Sequence, residues 1–473
     1  MAVCMVHLGV GYAERCLNRV RAWHHGESVD FFIMLLAFAA TGVYAWRLFR
    51  DNLRIPTFCY VWATSVVILL SGAIYREITG SRARYYDVRG GTHWLTWGQY
   101  DGAMLAAAVG IICIALGHYW ASHNQWHIPL PEFIDSRAPD AERLRRWAFF
   151  LLLAGLVPLL ATGILNPVTL LHSLLHGRSV HGRALYLYSE GTYFSFFSVF
   201  VSVVPFGVAA VAILVWGGRP PWILLALVVL FCVTEFLSGT RSATATLLAP
   251  FVLLPRYMGN TALFKRLAVI GIIAGFLIFT VQLTFRASGF ENFRVGELVT
   301  RSNPLGSIDG AELDWTAQAI STYGTRFHFL YGQSYLAVLV NPVPRVIWRG
   351  KPGGYSSVNA VNIGYPFGAT MTSAWMGEAY ANFGWLGIPI IGLVAGTLMG
   401  ILDVFIRRSG AFAMAVFLPL QFHWAFWVRG DSVACLDPWL FGMILLTVFM
   451  LAIGPATVQP PAVGIPSAGE PAV

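Results

Sequence analysis

The sequence predicts an all-α, polytopic integral membrane protein of about eleven transmembrane helices with one large extracytoplasmic loop region. Three observations predict it. The chain is 57% hydrophobic and 11% charged, with a mean hydropathy of +0.64, whereas soluble domains carry about 25% charged residues. Apolar runs of roughly 20 residues, the length that crosses a bilayer, recur along most of the chain. These runs are solid blocks rather than the alternating segments of about ten residues that build a membrane β-barrel.

In order, the spans lie near Val29–Trp46, Pro56–Tyr75, Asp101–Trp120, Trp147–Asn166, Thr192–Trp216, Pro221–Ser238 and Ser242–Tyr257. They continue near Leu267–Phe285, Trp385–Ile406, Ala411–Val428 and Pro438–Ile453. The Ser242–Tyr257 span is short and contains Pro250 and Pro255, which predicts a tilted or broken helix. The chain thus divides into N-terminal helices (1–285), a large loop region (286–384), C-terminal helices (385–456) and a disordered tail (457–473) rich in Pro, Ala and Gly. The loop region far exceeds an ordinary connection. AELDWTAQAISTYGTRFHFLYGQSYLAVLV within it carries apolar residues at helical spacing and stops at Asn341-Pro342, so helices lying on or dipping into the membrane surface are expected. No internal repeat stands out.

Orientation follows from the short basic loops. RLFRDNLR, the Arg137–Arg146 loop, the Arg256–Arg266 connection and Arg407-Arg408 alternate so as to share one side, which the positive-inside rule makes cytoplasmic. The 286–384 region is then outside, although the outward loop Arg76–Tyr100 also holds Arg76, Arg82, Arg84 and Arg89. The N-terminus lacks the pattern of a cleaved leader. The six cysteines form no CxxC pair and argue against a disulfide framework or zinc site. The net charge is +8, and all basic residues except Lys265 and Lys351 are arginine. That bias suits bidentate phosphate contacts as well as a compositional habit. No basic cluster sits on a soluble domain, which excludes nucleic acid as a partner.

A charge at the centre of a spanning helix costs about 2.5–3.5 kcal/mol on insertion scales, so the ionisable residues near spans need a reason. Glu235 and Arg241 either pair across a helix end or place Arg241 at the outer mouth of a cavity. Asp403, close to Arg407 and Arg408, reads as an interfacial ion pair. Outward cations include Arg286, Arg294, Arg301, Arg326, Arg345, Arg349, Lys351 and Arg429. They run against the insertion bias and fit a pyrophosphate ligand, whose oxygens guanidinium groups clamp and stabilise in a leaving group.

Pro344-Arg345-x-x-Trp348-x-x-Lys351-Pro352 presents two cations around an indole that can stack on sugar or anchor at the interface. Glu378, beside Tyr380 and Asn382, is a candidate base for a sugar hydroxyl or a complement to a helix N-terminus. Asp431, in Arg429-Gly430-Asp431, is the competing base, and His328 is a further candidate for substrate contact. His172, His176 and His181 share one loop, but no nearby carboxylate supports a metal. There is no Gly-rich phosphate loop, Asp-x-Asp pair or HExxH.

Tyr331-Gly332-x-Ser334, then the Pro344–Pro352 run, then Gly377-Glu378-x-Tyr380-x-Asn382-Phe383-Gly384 and a Gly-rich helix together resemble the bacterial O-antigen polymerase (Wzy-type) family of oligosaccharide repeat-unit polymerases. Ser238-Gly239-Thr240-Arg241-Ser242 and Arg429-Gly430-Asp431 are similar to two further turns of that family. Arg349 departs from it, a proline being more usual there. The resemblance covers the C-terminal half, and the order of the motifs carries it. It implies a multi-pass inner-membrane glycosyltransferase, GT-C-like in fold, that works at the periplasmic face without nucleotide, metal or other cofactor. Such an enzyme moves a growing glycan from undecaprenyl pyrophosphate onto a lipid-linked repeat unit, building O-antigen, capsule or exopolysaccharide. The implied partners are the lipid-linked oligosaccharide, membrane lipids and a chain-length regulator protein. The reading of the residues fits this, with Glu378, Asp431 and His328 as catalytic candidates. Arg241, Arg286, Arg326, Arg345, Trp348, Arg349, Lys351, Tyr380 and Arg429 are its candidate ligands for pyrophosphate or sugar. The alternatives are an O-antigen ligase-like transferase and a lipid-linked oligosaccharide flippase or other transporter, although transporters commonly show internal repeats.

Overall fold

The structure, a computed structural model, describes residues 29–79, 84–124, 222–238, 241–288, 312–343, 347–365 and 371–408 apart from isolated positions, with parts of 146–153 and 418–436. Helix α1 (Val29–Asp51) and helix α2 (Thr57–Thr79, with a π turn at Val66–Leu70) form the first hairpin. A β-hairpin follows, β1 (Arg84–Asp87) and β2 (Gly91–Trp94), then α3 (Trp97–His123). Next come α4 (Trp222–Ser238), α5 (Arg241–Tyr257) and α6 (Thr261–Ser288). The short helices α7 (Glu312–Thr322), α8 (Gln333–Val340), α9 (Tyr355–Asn362) and α10 (Ala374–Phe383) follow in turn. A 3-10 turn at Gly384–Leu386 then leads into α11 (Gly387–Arg408).

Among the described residues, four helical runs are long and apolar enough to cross a membrane: Val29–Asp51, Thr57–Thr79, Trp97–His123 and Ala374–Arg407. They make this a helical membrane protein. The spans expected at Trp147–Asn166, Thr192–Trp216, Ala411–Val428 and Pro438–Ile453 lie wholly or largely outside the described residues. Of the two expectations for α5, the broken helix is excluded, because α5 keeps its helical path through both Pro250 and Pro255. Neighbouring groups in a packed bundle re-satisfy the backbone that proline frees.

The frame is built on the α3–α11 pair. Thr96 starts α3 with a capping box, its Oγ1 accepting from Gln99 N at 3.3 Å while Gln99 Oε1 accepts from Thr96 N at 2.8 Å. Helix α3 then buries Ala103, Ala107, Gly110, Ile114, Gly117 and Ala121, residues three or four apart on one face. Helix α11 answers with Gly392, Gly396 and Gly400, one per turn. A Cβ on Gly396 would lie 2.1 Å from Ile114 O, and one on Gly117 would lie 2.3 Å from Leu393 O. The two backbones therefore touch, as helices do in membranes where small residues repeat every fourth position.

One end of this bundle gathers arginines at helix C-termini. Arg54 donates to the carbonyls of Ile406 and Arg407, and Arg256 Nη2 donates to Phe49 O at 2.8 Å and Asn52 O at 3.0 Å. These cations complement the partial negative charge of the last turns. The basic loops at 47–54 and 256–266 and the Arg407-Arg408 pair do meet at one end.

Asp403 corrects another expectation. It is buried within α11 rather than paired with Arg407 and Arg408 at the surface. Its Oδ2 lies 2.8 Å from His118 Nε2, and both oxygens accept from Thr57 N at 2.9 Å, at the N-terminus of α2. Gln421 Nε2 donates to Oδ1 at 3.0 Å, and Tyr44 OH sits 2.7 Å from His118 Nδ1. Five segments are tied by this network, which a buried carboxylate needs in order to be tolerated. Asp403→Asn should cost about 1–3 kcal/mol, read as a lower midpoint of thermal unfolding in detergent. Combined with His118→Phe, the two losses should fall short of additive; strict additivity would show the pair to be uncoupled.

The opposite end carries a cap made of the β-hairpin and α7–α10. Helix α7 is enclosed by protein rather than laid on a membrane surface, with Leu313, Asp314, Ala317, Gln318 and Ala319 all buried. The hairpin is a two-stranded addition to an otherwise helical fold. Tyr85 pairs with His93 in an antiparallel register and their rings stack at 5.1 Å, while Val88 N donates to Ile363 O at 3.0 Å. Aromatic Tyr85-Tyr86 followed by Gly90-Gly91 was the local signal for it.

Candidate functional site

The cap contains a buried polar hub that joins three separated motifs. Gly332 begins α8 with φ +84°, a left-handed position that suits glycine, and its N–H donates to Asn382 Oδ1 at 2.9 Å. Ser334, two residues on, donates its hydroxyl to Glu378 Oε1 at 2.6 Å. Asn382 lies one helical turn after Glu378 and donates to Ser334 Oγ at 2.8 Å and to Glu378 O at 2.8 Å. The turn after residues 424–427 brings Ser432, whose N–H and hydroxyl both donate to Glu378 Oε2, at 2.7 and 2.8 Å. Glu378, Ser334, Asn382 and Ser432 are completely buried. Both Glu378 oxygens are thus engaged by donors of the chain itself.

A second layer surrounds this hub. Asp431 Oδ2 accepts from Ser356 N at 2.9 Å, at the first turn of α9. Glu312 takes Arg429 Nε at 3.2 Å on one oxygen and Ala374 N at 3.3 Å on the other, next to the N-terminus of α10. Ser373 Oγ donates to Tyr355 OH at 2.6 Å, and Gln318 and Asn359 exchange amide hydrogen bonds at 3.1 and 3.4 Å. Asn362 Nδ2 donates to Tyr323 OH at 3.3 Å. Burial pushes the Tyr323 and Tyr355 phenols well up, so both stay neutral at any physiological pH. Among the described residues no group of three or more His, Cys, Asp and Glu is placed to hold a metal ion.

The structure sorts the expected cations. Arg326 pairs with the fully buried Asp87 at 2.6 Å and lies over the Phe327 ring, so it tethers the β-hairpin to the cap. Arg429 pairs with Glu312. Lys351 Nζ donates to Asn341 O at 2.8 Å and closes the C-terminal end of α8. These three therefore serve the fold in this conformation, because buried carboxylates and helix-end carbonyls compete for them as strongly as an anionic ligand would. Arg76 behaves likewise, bound to the buried Asp314. Arg349, Trp348 and His328 are exposed on the cap. Tyr380 is half-buried between Phe329 and Trp385.

Helix α5 begins at Arg241, and α6 extends past Arg286 to Ser288. The side chains of Glu235, Arg241 and Arg286 lie outside the described residues, as do Arg294, Arg301, Arg345 and the His172–His181 loop. Of the candidate bases, Glu378 and Asp431 are brought together through adjacent Ser432, and His328 stands apart on the surface. Sequence reasoning missed Glu312, Ser432 and the Gln318–Asn359 pair. The spacing of Glu378 and Asn382, one turn apart on one face, and the order of the motifs at Ser334, Glu378 and Asp431 pointed toward the hub.

These features define the class, a helical membrane protein with a polar, hydrogen-bonded cap at one end of its bundle. Comparison with protein-family models, with curated proteins and with solved structures gives no match for this chain.

Proposed function

We propose that this chain is a membrane glycosyltransferase that polymerises lipid-pyrophosphate-linked oligosaccharide repeat units, with its cap facing the periplasm of a bacterial inner membrane. The observation that supports this most is the hub. Two motifs that carry the family resemblance, Tyr331-Gly332-x-Ser334 and Gly377-Glu378-x-Tyr380-x-Asn382, share hydrogen bonds around Glu378, and Ser432, the residue that follows Arg429-Gly430-Asp431, joins them. Motifs that matched by chance would have no reason to share hydrogen bonds.

In the proposed reaction an acceptor sugar hydroxyl attacks the anomeric carbon of the donor glycan. The bond from that carbon to the pyrophosphate oxygen breaks, and the lipid pyrophosphate leaves with the electron pair. Arg349, with Arg241, Arg286 and Arg345, supplies positive charge for that leaving group. Trp348 offers an aromatic face to a sugar ring. The acceptor proton goes to a base: His328 is exposed to meet it, while Glu378 and Asp431 would have to exchange a present donor for the acceptor.

The test is deletion of the gene followed by complementation, with surface polysaccharide separated on a gel. Loss of a polymerase leaves single-repeat chains. An unchanged ladder overturns the proposal, full-length chains left unattached to their acceptor favour a ligase, and repeat units trapped on the cytoplasmic side favour a flippase. In the same assay Arg349→Ala should shorten chains with unchanged protein level and unfolding midpoint. Arg326→Ala should instead lower stability by about 2–3 kcal/mol, because Asp87 is left buried without its cation.

A further inference from the structure

We propose that α8 and the loop at residues 347–351 sit in the surface of the bilayer on the cap side, so that lipid covers one face of the cap. This rests on the membrane character of the helices and stands whether or not the chain is a polymerase.

The carrying observation is an apolar surface that runs unbroken from a membrane-spanning helix onto the cap. On α11, Ile390, Leu393 and Val394 are exposed, and they lie three or four residues apart on the face that lipid must cover. One turn before Ile390 comes Leu386, 72% exposed in the 3-10 turn, with exposed Trp385 beside it. Phe383 precedes them, and its ring stacks flat on Tyr335 of α8 at 6.1 Å. Helix α8 is two-faced. Ser334, Ala337 and Val338 point into the protein, while Leu336 and Leu339, the latter 61% exposed, point away from it. The Lys351–Asn341 bond folds the next loop back to the end of α8, which adds exposed Ile347 and Trp348 to the same region.

Continuity with α11 identifies the occupant. A protein partner would need no such junction with a lipid-facing helix, whereas a leaflet meets both surfaces at once. The polar edge agrees, because Trp348, Arg349 and Lys351 follow Ile347 directly. Indole rings and long cations are the residues that settle at headgroup level. By contrast, α7 keeps Leu313, Ala317 and Ala319 inside the protein. The Arg349 guanidinium then stands at the depth of lipid phosphates, where a lipid-linked substrate carries its own.

The test uses the full chain in nanodiscs of phosphatidylethanolamine and phosphatidylglycerol that contain lipids with a diazirine in the acyl chain. After photolysis the labelled peptides are mapped, and a parallel sample is footprinted with hydroxyl radicals from water. Acyl-chain label is expected several-fold higher in 333–347 and 383–394 than in 312–322, with low radical oxidation at Leu336, Leu339 and Ile347. High oxidation of these residues would place the face in water. Protection from both reagents would place it under protein. Either result overturns the proposal.

Discussion

Replacing Glu378 by Ala is expected to abolish activity and to lower the unfolding free energy by about 3 kcal/mol or more. The substitution strands the Ser432 N–H, the Ser432 hydroxyl and the Ser334 hydroxyl in a place no water reaches. Each buried donor without a partner costs about 1–3 kcal/mol. Glu378→Gln separates structure from chemistry: its amide oxygen can still accept from Ser432, and its NH2 can donate to Ser334 Oγ. If the Gln variant regains both the unfolding midpoint and the activity, Glu378 is a positioning residue. If it regains the midpoint and stays inactive, the carboxyl group itself is required. An Ala variant that melts like the wild type would remove the hub from the account altogether.

Gly396→Leu is the second large effect, a loss of folded protein from the membrane. Even the first carbon of the new side chain would overlap the Ile114 carbonyl and sit 2.9 Å from His118 N. Overpacking of a well-packed core costs about 1–3 kcal/mol and more where backbone must move; here it is backbone that blocks the way. Prying α3 from α11 also separates His118 from Asp403, seven residues further along α11, so the two losses compound. Size-exclusion profiles in detergent should show aggregate in place of a single peak. At Gly275 a Cβ would meet nothing within 4 Å, and Gly275→Ala should leave the profile unchanged. A monodisperse Gly396→Leu protein would mean that the helices do not touch as described.

Part of this was legible in the residues. The apolar blocks at 29–46, 56–75, 101–120 and 385–406 became helices with shifted ends, because twenty apolar residues have few other ways to satisfy their backbone in a bilayer. The basic loops at 47–54, 256–266 and 407–408 met at one end, since their arginines close helix C-termini there. What each cation does was not legible. Arg326 and Arg429 looked outward and available, yet Asp87 lies about 240 residues before the one and Glu312 over a hundred before the other. Only folding places a carboxylate within ion-pair distance.

The same division holds for the site. By itself the sequence determined that this is a helical membrane protein, which stretch is too polar to be span, and which motifs within it stand in a telling order. Those are properties of composition and local spacing, and they survive without knowledge of neighbours. The tertiary structure decided that Glu378 is enclosed by Ser334 and Ser432, that Asp403 caps α2 beside His118, and that Arg349 rather than Lys351 is exposed on the cap. A side chain's role depends on which donor or acceptor reaches it first, and contacts made across the chain settle that.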